Sequence, residues 1–319
     1  MIVFNNPFIT EGNWYKGNLH THTNISDGHF TCEQVIETYC KNKYDFLAIT
    51  DHWWKITDNY LEKIKELTVK YNNILIIPGE EIDCGITKLG IINGNIGYNF
   101  HLVCLNIKNV ILNENRKHNE FNPQDIINSV KSQDGEIILA HPYWSGLTLE
   151  DMLSIHGYIG VEIFNTDTHL TVNKGFSLSH WDDLLNTNRK ILGFSSDDSH
   201  ATTNDFRPID LCGAWIMVKS KFLTINSIMK SILNGLFYSS TGPEIKKLEI
   251  NNKKIYIETS PVKYISFISQ NGSGMKLTAK KDNFLKYAEF KIEDNLKYLR
   301  IECKDESGNY AWTNPIFKL

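Results

Sequence analysis

KGNLHTHTNISDG, residues 16–28, is a strand-like run that ends in two histidines, His20 and His22, with a carboxylate, Asp27, close behind. In a strand, residues i and i+2 point to one face about 6.5–7 Å apart, so these two imidazoles can converge on one ion. A lone H-x-H is weak, and its surroundings decide its weight. Here the surroundings repeat the pattern. His52 closes FLAITDH, Glu81 follows IIPGE, His101 sits in FHLVCLNI, His141 closes IILAHP, and Asp198 with His200 closes ILGFSSDDSH. Donor side chains at or just beyond successive apolar runs point to a polynuclear metal centre at the mouth of a barrel of parallel strands, where such folds place their chemistry. Glu81, after the Pro78-Gly79 turn, is placed to bridge two ions.

Outward from this stretch, strand-like runs at 16–22, 46–51, 74–78, 99–105, 136–141, 160–164, 191–196 and 213–219 alternate with helical stretches. Thr31-x-x-Gln34 reads as a capping box opening a helix to about residue 42. Residues 58–72 carry Leu61, Ile64, Leu67 and Val69 at close to helical spacing. Asn122-Pro123 gives an N-cap followed by proline at the first helical position, with Gly135 as the stop. Thr148 and Thr224 are further N-caps, with Gly157 and Gly235 as stops. The alternation predicts an α/β domain over residues 1–242. From residue 243 to 319 the texture changes to short alternating runs split by Asn-Gly, Ser-Gly and Asp-Asn turns, which predicts a small antiparallel, sandwich-like β module.

The net charge of −4 and scattered lysine pairs argue against a general nucleic-acid footprint. The N-terminus lacks a basic n-region and no apolar run approaches membrane-spanning length, so neither a signal peptide nor membrane attachment is expected. The six cysteines form no C-x-x-C and read as free thiols, which fits a cytoplasmic protein.

The ordered set HTHTNISDG, TDH, GEE, a strand histidine, AHP and SDDSH resembles the PHP (polymerase and histidinol phosphatase) metallohydrolase superfamily over residues 14–242. WYKGNLHTHT, YSSTGPEI and a C-terminal stretch ending AWTNPI are similar to its CehA/McbA-like branch, named for a carbaryl hydrolase. The resemblance implies a distorted (β/α)7 barrel holding two to three divalent ions, with Zn, Mn and Fe all open. By position, one ion takes His20, His22, Glu81 and Asp198, and a second shares Glu81 and adds His101 and His141. A third takes Asp27, His52 and His200. Some relatives have histidine where this chain has Asp27, a harder ligand.

Glu80 is the alternative bridging glutamate, Asp27 also suits a cap for the turn at Gly28, and His101 also suits packing. Asp51 and Asp197 read as turn formers or orienters, and Asn165 as a turn cap or a site residue. His29, His118, His156, His169 and His180 match no motif position, while Trp53, Trp54, Tyr143 and Trp144 follow ligands on loops and suit either a pocket wall or rim packing. No G-x-S-x-G elbow or P-loop supplies another mechanism. The expected reaction is hydrolysis of a small phosphorylated metabolite or nucleotide by metal-activated water, with Glu81 and Asp198 at the reacting centre and Arg207, in HATTNDFRPID, as a phosphate clamp. The rival is hydrolysis of a carbamate, amide or carboxylic ester.

Overall fold

The computed structural model describes residues 2–93, 99–111, 121–202 and 208–318. Strand β1 (Ile2–Val3) precedes β2 (Asn13–Asn18), and helices and strands then alternate. They are α1 (Cys32–Lys41), β3 (Phe46–Ile49), α2 (Tyr60–Lys70), β4 (Leu75–Cys84), α3 (Lys88–Asn93), β5 (Phe100–Leu105), α4 (Pro123–Ser132), β6 (Glu136–Leu139), α5 (Leu149–Ser154) and β7 (Gly160–Asn165). The series continues with α6 (Thr166–Val172), α7 (Leu178–Asn186), β8 (Leu192–Ser196), β9 (Trp215–Ser220), α8 (Ile225–Leu233) and β10 (Phe237–Ser240). From there the chain is all strand: β11 (Ile245–Asn251), β12 (Lys254–Val262), β13 (Tyr264–Ile268), β14 (Gly274–Thr278), β15 (Leu285–Lys291), β16 (Tyr298–Lys304), β17 (Tyr310–Thr313) and β18 (Ile316–Lys318).

Local signals set the helix starts. Thr31 and Gln34 close their capping box in both directions, and the side chains of Asn122, Thr148 and Thr224 each accept a backbone amide of the first turn. After α4 the left-handed residue is Asp134 (φ 62°) rather than Gly135. Gly135 instead permits close approach, since a Cβ there would lie 3.0 Å from the Leu105 carbonyl oxygen on β5.

The main sheet runs β10-β9-β2-β3-β4-β5-β6-β7-β8. Pairs β2–β3, β3–β4, β6–β7 and β7–β8 are parallel, but β4–β5 and β5–β6 are antiparallel, as are β2–β9 and β9–β10. The expectation of uniformly parallel strands is corrected there. β4 runs on through Glu81 to Cys84, and β5 returns alongside it with Cys84 opposite Phe100. β8 ends this hydrogen-bonded order, and serine side chains tie it to the far side. The Ser195 amide donates to Ser239 Oγ at 3.1 Å, and its hydroxyl donates to the Trp215 carbonyl at 2.6 Å. At the mouth, β2 and β8 extend toward each other: the His22 amide donates to Ser199 O at 2.8 Å and the Asp198 amide to His20 O at 3.0 Å.

The strands beyond residue 243 are antiparallel, and the sheet passes into them because β10 pairs with β17 and β17 with β16. β18 pairs with both β16 and the N-terminal β1. Leu248, Ile257, Ile265, Phe267 and Ile301 form the core of this part, while Tyr298 and Trp312 belong to the core of the α/β part. An ion pair with its arginine buried and its aspartate half-buried joins the two. Arg300 on β16 is 3% exposed and holds Asp182 on α7 through Nε at 2.7 Å and Nη2 at 2.6 Å. No helix among the described residues is long and apolar enough to cross a membrane.

Removing Asp182 would leave the buried Arg300 charge with only Glu302, 3.7 Å away, to meet it. Asp182→Ala is therefore expected to lower unfolding free energy by about 3 kcal/mol in urea denaturation. A loss below about 1 kcal/mol, the range of exposed pairs, would show that Arg300 rests on other partners.

Candidate metal centre

Glu81 and His101 come together because β4 and β5 are antiparallel. Asp83 lies opposite His101 and Glu81 opposite Val103, so Glu81 is a diagonal neighbour of His101 on one sheet face. Glu80, one residue earlier, points to the other face, where it accepts the Ile111 amide at 2.8 Å and burial pushes its pKa up to about 8. The glutamate that faces the histidines is Glu81.

The remaining donors sit just past strand ends. β2 stops at Asn18 and β6 at Leu139, so His20, His22 and His141 lie on the backbone beyond them rather than in the ladder. His141 (φ 24°) and Asp198 (φ 53°) hold positive φ, which is unusual for such residues and turns their side chains inward. Asp51 and Asp197 fix this backbone. Asp51 accepts the Thr23 amide at 2.7 Å and the Ser26 hydroxyl at 2.7 Å. Asp197 accepts the amides of Cys212, Gly213 and Ala214 at 2.7–2.9 Å and the Tyr39 hydroxyl at 2.7 Å.

Four donors converge tightly. His20 Nε2 and His22 Nε2 are 3.2 Å apart, His20 Nε2 lies 3.1 Å from both Glu81 Oε2 and Asp198 Oδ1, and His22 Nε2 lies 3.1 and 3.0 Å from the same two oxygens. Four ligands placed tetrahedrally at about 2.0–2.1 Å from one zinc-like ion stand about 3.3–3.4 Å apart. The observed spacing is close to that of a coordination shell. Glu81 turns its other oxygen, Oε1, to His101 Nδ1 at 2.9 Å and His141 Nε2 at 3.4 Å, so one carboxylate faces two donor groups. Asp27 Oδ2 lies 3.6 Å from both His52 Nε2 and His200 Nε2, and its Oδ1 is 3.7 Å from His22 Nδ1. The nine sequence candidates thus fall into the three anticipated groups, with His22 also in reach of the third.

The other hydrogen bonds leave coordinating nitrogens free. His200 Nδ1 is 2.8 Å from the Asp198 carbonyl and His141 Nδ1 is 3.0 Å from the Ser145 hydroxyl, which leaves Nε2 of each toward the cluster. His20 Nδ1 is 2.7 Å from Glu162 Oε1. Glu162 was absent from the candidates. It is buried, its Oε2 accepts the His141 amide at 2.9 Å and Asn165 Nδ2 at 2.8 Å, and Ser196 donates to its Oε1. Its one sequence signal is a charged residue inside the apolar run GVEIFN. Asn165 does both things open to it, capping α6 through Thr168 and donating to Asp198 Oδ2 at 3.1 Å.

Burial disfavours every charge here, and at Glu81, Asp198 and His22 the neighbouring opposite charges outweigh it. Despite burial, Glu81 and Asp198 are held well below the carboxylate range by the surrounding imidazoles. Burial works against the His22 cation, but Asp198 and Glu81 push its pKa up to about 10. Burial, helped by the His22 charge, takes His52 down to about 4 despite Glu81. Six imidazoles and three carboxylates in contact, with His22 Nδ1 and His52 Nδ1 lacking any hydrogen-bond partner, fit a set of cation ligands.

A cavity of about 210 Å³ opens on this cluster and is also lined by Trp144, Asp167 and Thr168. Trp144 packs edge-on against His101 and His141, and Trp54 stacks on His52. Trp53 is buried and donates to Asp83, while Tyr143 packs toward His180. His169 packs tilted against Phe164 and edge-on against Phe176, His156 meets Arg189, and the His29 amide donates to His200 O. His118 and the clamp candidate Arg207 lie outside the described residues. Among the described residues, no metal-capable group contains a residue beyond Asp210.

No family profile matches the chain. Over 78 residues, 21% of this chain, it is 33% identical to the DNA polymerase/3'-5' exonuclease PolX of Bacillus subtilis (strain 168), and the match spans only 14% of that protein. Among solved structures, it superposes on a two-domain protein from Bacteroides vulgatus ATCC 8482 containing a predicted PHP-like metal-dependent phosphoesterase. The TM-score is 0.53 over 95% of each chain, at 16% identity. An amidohydrolase from Chromobacterium violaceum, solved with bound sulfate and no metal, gives a TM-score of 0.42 at 14% identity, covering 69% of this chain and 96% of its own. The chain shares its fold with that two-domain protein.

Two measurements test the centre. A ligating imidazole must be neutral, and the raised pKa of His22 keeps it protonated at pH 7 in ion-free protein. Ion uptake at pH 7–9 should therefore release protons, and apparent affinity should climb with pH toward about 10, read by calorimetry in buffers of different ionisation enthalpy. Affinity that is flat across this range would remove His22 from the ligands. Glu162→Gln, which loosens His20 without removing a proposed donor, is expected to weaken ion binding by about 10–100-fold in chelator competition. Unchanged affinity would limit Glu162 to holding the fold.

Proposed function

We propose that the protein is a metal-dependent hydrolase of phosphate esters, built on a distorted PHP-type barrel, with His20, His22, Asp27, His52, Glu81, His101, His141, Asp198 and His200 as ligands of two to three divalent ions. The observation that carries this reading is the coordination-like spacing of His20, His22, Glu81 and Asp198, with Glu81 turned to a second donor group. Divalent ions there would supply Lewis acidity and positive charge toward a phosphoryl group. The chain's own residues do the positioning. Glu162 holds the proton on His20 Nδ1, Ser145 orients His141, and the Asp198 carbonyl orients His200. Burial of Glu81 and Asp198 keeps water off the donors. A cavity of about 210 Å³ suits a small substrate. Three divalent ions would outweigh the carboxylates lining it and so favour an anion. Arg207 enters as a phosphate clamp through its sequence position alone.

The second reading keeps the ions and changes the bond to a carbamate, amide or carboxylic ester, as in the CehA/McbA-like branch. It is favoured by a cavity wall that carries Trp144 but no lysine or arginine among the described residues.

Turnover separates the two. Mn2+-loaded enzyme is expected to hydrolyse p-nitrophenyl phosphate faster than p-nitrophenyl acetate, with inorganic phosphate as a competitive inhibitor. Faster hydrolysis of the acetate or of an aryl carbamate would replace the first reading with the second. Asp198→Ala retaining activity within about tenfold of wild type would overturn both, since each needs this ligand.

A further inference from the structure

A fourth donor group lies beside the three already described. Ligand atoms of Asp167, His200 and Asp210 lie within 4.8 Å of one another. Asp210 is fully buried; its Oδ2 accepts the His200 amide at 3.2 Å, and its Oδ1 has no hydrogen-bond partner. A carboxylate oxygen withdrawn from water and left unmatched is anomalous in a folded protein unless a cation or ordered water meets it. Asp167 and His200 both line the cavity, so this group opens on the same space as the centre.

His200 belongs to two groups at once. Its Nδ1 is committed to the Asp198 carbonyl at 2.8 Å, so only Nε2 is left to coordinate, and Nε2 is also 3.6 Å from Asp27 Oδ2. One nitrogen lone pair cannot bond two ions. We propose that the outer ion has two alternative seats that share His200: an inner one on Asp27 and His52, and an outer one on Asp167 and Asp210. The outer seat, with two carboxylates and one imidazole, suits a hard, oxygen-preferring divalent cation such as Mn2+ or Mg2+. This rests on the metal-centre reading above but not on the substrate.

Mn2+ is the probe, with ions per chain counted by elemental analysis after removal of free metal and the outer ion observed by electron paramagnetic resonance. Asp27→Ala damages the inner seat only. It is expected to keep three ions per chain, with an altered signal, because the ion moves to the outer seat. Adding Asp210→Asn to Asp27→Ala, or adding Asp167→Asn at the less buried position, is expected to drop the count to two. Loss of the third ion in Asp27→Ala alone overturns the proposal, as does retention of three ions in both double variants. If only one double variant loses the ion, the outer seat is not the one described. Wild-type enzyme that is active as a phosphoesterase with two ions also refutes the two seats, while leaving the proposed function standing. Three ions without phosphoesterase activity would do the reverse.

Discussion

Five imidazoles crowd one buried carboxylate. Glu81 has His20, His22, His52, His101 and His141 within 3.4 Å of its two oxygens. Such a cluster is stable only if cations, as protons or metal ions, balance its lone pairs, because a desolvated charge without a partner costs several kcal/mol. Bringing the donors together opposes folding unless something binds them, which is why ion binding and folding are coupled in sites of this kind. The rest of the mouth can be understood as what holds mutually repelling donors at coordination distance.

The holding is done by carboxylates that are not themselves donors to the cluster. Asp51 gathers the amides and hydroxyls of residues 23–26, and Asp197 gathers three successive amides of residues 212–214. These contacts hold backbone that has left the sheet, including Asp198 and Ala201 at positive φ. Each of the motifs TDH and SDDSH therefore divides its labour. The first aspartate builds the loop, and the residues after it face the donor cluster. Glu162 acts the same way one layer deeper, fixing His20 and the His141 backbone together.

The sequence made the donors legible because chemistry restricts them to a few residue types at strand ends, and their order along the chain matched a known pattern. Helix starts were legible because caps are local. Strand direction was not. Nothing in FHLVCLNI distinguishes a strand that runs with its neighbours from one that runs against them, since alternation and apolar content are the same in both. Yet that reversal puts His101 diagonal to Glu81. Glu162 and Asp210 were missed for a related reason. A carboxylate that acts through its neighbours carries no spacing motif, and only its burial marks it, which a sequence displays as no more than an acid among apolar residues.

Charge ties the two candidate chemistries to the number of ions. Four carboxylates line the cavity: Asp27, Glu81, Asp167 and Asp198. Two divalent ions would balance those four negative charges and leave a nearly neutral pocket, suited to an uncharged ester or carbamate. A third ion leaves two positive charges in excess, which favours a phosphoryl dianion. Glu162 does not alter this balance at the cavity, because both its oxygens are occupied by His20, Ser196, Asn165 and the His141 amide behind the donors. The inner ligands His20, His22, Glu81 and Asp198 are common to both chemistries and cannot tell them apart. An outer ion at His200 would separate them, and Asp27 is the most exposed of its candidate ligands.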